Sequence, residues 1–145
     1  MPDISMERIE KGFRIMPNWE DRYRFLVQLG RKLEPLEDDL KVEVNRVRGC
    51  ASNVWLVPEL SDDDPPRMSF RADSDAHIVK GLVALLMVIY SGRTPEEIRE
   101  LDALEILERL DLQAHLSPSR SNGLFAMVER IRALASAATR REANP

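Results

Sequence analysis

The chain has 145 residues, 43% of them hydrophobic and 32% charged, enough to close one compact core without a metal or disulfide and too few for two comfortable domains. Its 21 basic and 25 acidic residues leave a net charge of −4, which excludes the strongly basic balance of a general nucleic-acid binder. The longest uncharged stretch, 81–92, holds 12 residues where a bilayer span needs about 20, so no membrane segment is expected.

In chain order, Ile9, Phe13 and Met16 predict a first helix that Pro17 ends. From Asn18 to Leu33, the residues Trp19, Tyr23, Leu26, Leu29, Gly30 and Leu33 recur at three- and four-residue intervals. A Pro-Asn start can cap this second, amphipathic helix, and Pro35 closes it. From Val42 the pattern changes. Val42, Val44 and Val47 lead into Gly-Cys, and Val54, Trp55, Leu56 and Val57 form a β-branched and aromatic run. After the turn-rich SDDDPP, Met68 and Phe70 alternate with polar neighbours. Two or three antiparallel strands follow from this, with Cys50 in the connection between the first two.

The segment DSDAHIVKGLVALLMVIYSG carries Asp and Ser to cap its start and Gly92 to stop it, and predicts the central buried helix. Thr94-Pro95-Glu96-Glu97 is a capping box opening a short helix through Leu101. Another short helix is expected near Ala103 to Leu110. A last long one is expected after SPSRSNG, with Leu124, Met127, Val128, Ile131, Leu134 and Ala138 on one face. The expectation is a single domain over 1–145, with its core at about 6–138 and a frayed tail at 139–145.

Chemistry converges on the single cysteine, Cys50. One cysteine excludes an internal disulfide and fits a reducing compartment, and the mixed-charge N-terminus MPDISMERIEKGF lacks the apolar run of a secretory signal. A cytoplasmic protein is therefore expected. Gly49 permits a tight turn at the thiol, and Ala51 and Ser52 leave room for another molecule to approach. Arg46 and Arg48 are expected to lower the thiol pKa by favouring the thiolate. Cys50, His77 and His115 are too few for a zinc site. A two-cysteine peroxidase lacks its resolving thiol, and phosphate-binding glycine loops are absent. The run Asp62-Asp63-Asp64 lacks the spacing of a calcium loop and reads as a solvated hairpin tip. Three functions stay open on residues alone: intermolecular transfer through Cys50, a cysteine hydrolase using His77 or His115, and an adaptor in which the thiol is incidental.

The strings NWEDRYRFLVQLG, GCASNVWL, DSDAHIVKGL and HLSPSRSNGL, in that order, resemble those of SufE-type sulfur acceptors, from about Phe13 to Ala133. Ala72 stands where the family has glycine, and Ala51 where a polar residue is common. The resemblance implies an α+β domain of SufE/NifU-like fold, a small three-stranded antiparallel sheet packed against several helices. It also implies a carrier, not an enzyme, that takes persulfide sulfur onto Cys50 and stimulates its donor. That donor would be a SufS-like cysteine desulfurase, with an iron–sulfur scaffold complex as recipient. Pyridoxal phosphate would belong to the desulfurase, and the carrier would bind no cofactor or metal. Gly49 and Ser52 would support the loop, Asp75 and Arg120 would shape the docking surface, and the protein would be a monomer or weak homodimer.

Overall fold

The computed structural model describes residues 5–16 and 18–143, with backbone alone at 113 and 140–143. Pro17, expected to end the first helix, lies outside them. Helix α1 (Met6–Ile15) starts where Ser5 Oγ accepts the Arg8 N–H, and buries Ile9 and Phe13. Helix α2 (Trp19–Arg31) has the expected cap, Asn18 Oδ1 accepting the Asp21 N–H at 2.9 Å. Each cap satisfies a donor that the first helical turn leaves without a partner.

Strands β1 (Val54–Leu60) and β2 (Met68–Ser74) form an antiparallel hairpin in register from Val54 opposite Ser74 to Leu60 opposite Met68. Val54, Leu56, Met68, Phe70 and Ala72 are buried at alternate positions, as a sheet with one covered face requires. The expected third strand is corrected. Among the described residues the sheet has two strands, and the valine-rich segment before Cys50 coils through short 3₁₀ turns at Asp38–Leu40 and Glu43–Asn45. It touches the sheet through an Arg46–Trp55 bridge and the Val47 N–H bonded to the Val54 carbonyl. Asn45 Nδ2 donates to the Leu40 carbonyl and Arg130 Nη2 to the Val44 carbonyl. These bonds hold the turns against the β propensity of the valines, a case of tertiary context overriding a local preference.

Helix α3 (His77–Tyr90) is the core of the molecule, with Leu82 to Met87 all at most 1% exposed. It crosses α2 where glycine meets glycine. A Cβ on Gly30 would lie 2.8 Å from the Gly81 nitrogen, and one on Gly81 2.3 Å from the Leu26 carbonyl oxygen, so only hydrogen fits. The expected cap by Asp75 or Ser74 on the first turn is corrected. The N-cap position is Ala76 and has no side-chain cap, because both residues turn back to Asn53. Gly92 follows the helix at φ +83° and its N–H bonds the Met68 carbonyl, pinning the helix end to the sheet.

Helix α4 (Pro95–Glu100) opens with the expected capping box between Thr94 and Glu97, and α5 (Ala103–Arg109) is capped by Asp102. Helix α6 (Pro118–Ala143) begins earlier than its apolar stripe suggests. Ser117 Oγ accepts the Arg120 N–H at 3.2 Å and Pro118 takes the first helical position, so a cap-and-proline start outweighs the helix-weakening Ser, Asn and Gly that follow. The backbone is helical to Ala143, and 144–145 lie outside the described residues. Among the described residues no helix is long and apolar enough to cross a membrane.

Candidate functional site

The site is the connection that carries Cys50 from the valine-rich segment into β1, laid against the first turns of α6. Gly49 takes φ +94°, a left-handed conformation that disfavours any side chain. A Cβ there would also come 3.2 Å from the Ala126 methyl. This turn aims the next side chain inward. Cys50 Sγ lies 3.5 Å from the Gly123 carbonyl oxygen, to which its S–H donates. Gly123 faces the thiol directly, and a Cβ there would meet the sulfur at 3.5 Å, in ordinary van der Waals contact.

Around the thiol is a small cavity of about 20 Å³, walled by Ala51, Ser52, Val79, Leu82, Arg120 and Met127 among others. That volume is close to one solvent-sized atom. Cys50 is half-buried, and this burial pushes its thiol pKa up, with Arg46 pulling the other way without prevailing. The expected lowering by Arg46 and Arg48 is thus corrected. Desolvation outweighs the pull of Arg46 on the sulfur, and both arginines lie against Glu43, at 3.6 and 3.8 Å.

The far side of the loop is tied down by Asp75. Its Oδ1 accepts the Asn53 N–H at 3.1 Å, its Oδ2 accepts Asn53 Nδ2 at 2.8 Å, and the Asp75 N–H donates back to the Asn53 carbonyl at 3.3 Å. Ser74 Oγ adds a bond to the same carbonyl at 2.8 Å. The loop is therefore fixed at the positive-φ glycine and at the Asn53–Asp75 clamp, with Cys50 between them. Sequence reasoning named Cys50, Gly49, Ser52, Asp75 and Arg120, and the structure brings Gly49, Ser52 and Arg120 to the thiol and Asp75 to its loop. It passed over Asn53 and Gly123. Asn53, a hydrogen-bonding residue just ahead of the β-branched run, carried a faint signal; Gly123, 73 positions from the cysteine it faces, carried none.

Neither histidine helps the thiol. His77 is exposed at the start of α3, and His115 stacks on Trp19 with ring centres 4.0 Å apart while its Nε2 lies 3.5 Å from Asp111 Oδ2. The cavity wall contains no histidine, so the hydrolase reading lacks its base here. Asp62, Asp63 and Asp64 sit exposed in the hairpin connection, and no cluster suited to a metal ion occurs among the described residues.

A family model described as SufE, an Fe-S metabolism associated domain, matches residues 7–135. The chain is 49% identical over 129 residues to an uncharacterized SufE-like protein of Rhizobium etli, covering 88% of this chain and 87% of that one. It is 43% identical over 129 residues to an uncharacterized SufE-like protein of Rhizobium meliloti, covering 88% and 92%. The fold is similar to the solution structure of a hypothetical protein from Thermus thermophilus, with TM-score 0.73, 21% identity and coverage of 92% and 95%.

Proposed function

The chain belongs to the SufE family, whose domain is associated with Fe-S metabolism, and from that premise we propose that it relays sulfur on Cys50. A SufS-like cysteine desulfurase, using its own pyridoxal phosphate, strips sulfur from free cysteine and holds it as a persulfide. Cys50 loses its proton, and its thiolate attacks the outer sulfur of that persulfide. The donor's S–S bond breaks, a new one forms at Cys50, and the donor thiolate leaves to take up a proton. One S–S bond replaces another, so the step needs no oxidant. Clearing the donor cysteine is what stimulates the desulfurase. The carrier itself turns over nothing and hands the sulfur to an iron–sulfur scaffold complex.

The observation that carries this reading is the seat of the chain's only thiol, narrow, half-buried and closed by a glycine carbonyl. A neutral S–H fits there as a donor, whereas a thiolate would face the lone pairs of the Gly123 oxygen. Ionisation and outward movement of the sulfur are thereby linked, and attack requires the two sulfurs to come within about 3–3.5 Å. Asp75 and Arg120 shape the docking surface in this reading, Asp75 by holding the loop and Arg120 from the cavity wall. The protein works in the cytoplasm as a monomer or weak homodimer, without a cofactor or metal of its own. Incubation with the cognate desulfurase, pyridoxal phosphate and cysteine, followed by mass spectrometry, tests it. The expected product is about 32 Da heavier on the Cys50 peptide and reverts with reductant; an unmodified Cys50 peptide contradicts the reading.

A further inference from the structure

We propose that the segment Val42–Arg48 is a docking ridge for the enzyme that supplies sulfur to Cys50, an inference that rests on the relay reading above. Val42 and Val44 turn to solvent instead of joining the sheet, 42% and 75% exposed, while Val47 is buried and anchors the segment to the core. The Arg48 side chain beside them is 84% exposed. Apolar side chains next to an exposed arginine match the composition that protein interfaces favour. The segment is also held in shape, since Arg130 grips the Val44 carbonyl at 2.7 Å and Asn45 the Leu40 carbonyl at 2.9 Å. A preformed ridge loses little freedom on binding.

Distance puts the ridge within reach of a partner seated on Cys50. The segment runs along α6, with Val44 at Arg130, Gly49 at Ala126 and Cys50 at Gly123. At 1.5 Å per helical residue, the α6 positions that meet Val44 and Cys50 are about 10 Å apart. A partner of ordinary size covers about 800 Å² on each side, a disc of about 16 Å radius. A protein that centres on Cys50 has the reach to cover Val44 and Arg48 as well.

Charge specifies what it presents there. The chain is net acidic at −4, yet Arg46 and Arg48 share one carboxylate, Glu43, and Arg120 stands at the thiol cavity. The occupant is the sulfur-donor enzyme, carrying acidic side chains around its persulfide and an apolar spot over Val44. Acid opposite arginine speeds encounter and fixes the register in which two sulfurs meet.

Val44→Asp and Arg48→Glu alter solvent-facing side chains and leave the core intact. Sulfur loading of Cys50 is followed by mass spectrometry from two donors, the cognate desulfurase with cysteine and low-molecular-weight cysteine persulfide. Enzyme-driven loading is expected to slow about tenfold in each variant while loading from cysteine persulfide stays at the wild-type rate. Wild-type rates from the enzyme in both variants, or an equal fall from both donors, overturn the ridge. Wild-type protein that loads from cysteine persulfide but never from the enzyme overturns the relay reading instead.

Discussion

Two places in this molecule bring chain against helix through glycine, and they are built to opposite ends. At the α2–α3 crossing, Gly30 and Gly81 let backbone press on backbone, with no space for even a methyl group. At the Cys50 seat, Gly123 faces a side chain at ordinary van der Waals distance, across one weak S–H bond and a small void. The first contact has no slack and fixes the core. The second has slack and holds the thiol that, in the proposed relay, has to leave. In that reading stability and function are separated in space, and the same substitution should read differently at the two sites.

The sharpest break is Gly81→Ala. The new Cβ would lie 2.3 Å from the Leu26 oxygen, so the helices must separate or shift. Such overpacking is expected to cost about 3 kcal/mol, read as a lower urea midpoint, and a wild-type midpoint would show the crossing to be pliable.

Next is the buried carboxylate of Asp73, at the sheet end of the rigid region and 6% exposed. Burial raises its pKa, but the Ser74 N–H and the Lys80 and Lys41 ammonium groups outweigh this and leave it lowered. A carboxylate whose folded pKa lies below its unfolded value adds stability above the unfolded pKa, and that contribution is lost as pH falls through the folded one. Unfolding titrations should therefore show a drop in stability beginning below about pH 4. Lys80→Ala should lower stability by about 1–3 kcal/mol at pH 7 and flatten that drop. An unchanged acid limb would remove Asp73 from the explanation.

On the Cys50 side of the comparison, Asp75→Ala releases Asn53 and frees one end of the Cys50 loop. Alkylation of the thiol at pH 7 is expected to speed several-fold, with stability changed by about 1 kcal/mol. Equal alkylation rates would mean that the clamp does not hold the loop closed. The smallest expected effect is Gly123→Ala, where the added methyl would touch the sulfur at 3.5 Å without clash. A helix-interior Gly→Ala change there should raise stability by about 0.5–1 kcal/mol, the opposite sign to Gly81→Ala. A loss in chemical denaturation would show the seat to be as tight as the core.

Much of the rigid region was legible because its signals are local. Apolar residues at helical spacing, the Asn18 cap and the Thr94–Glu97 box each act within one or two turns of chain. The coil at Val42–Val47 was not, because Val42 and Val44 alternate as a strand does while its shape is set by Arg130, far along the sequence. The early start of α6 was hidden by Ser, Asn and Gly, which weaken a helix on average but here follow a capped proline start. At the site, Cys50 and Gly49 stand out as sequence. The thiol pKa does not, since two nearby arginines suggest a fall and burial, a property of the fold, produces a rise. Asn53 and Gly123 acquire their roles only when Asp75 and Cys50 reach them through space.

The most direct test is desulfurase turnover with wild-type protein and with Cys50→Ser, the two first shown to be equally folded. If sulfur passes through this one side chain, wild-type protein raises cysteine turnover and the serine variant leaves it at the level of the desulfurase alone. Equal stimulation by both would contradict the relay and leave an adaptor that merely binds.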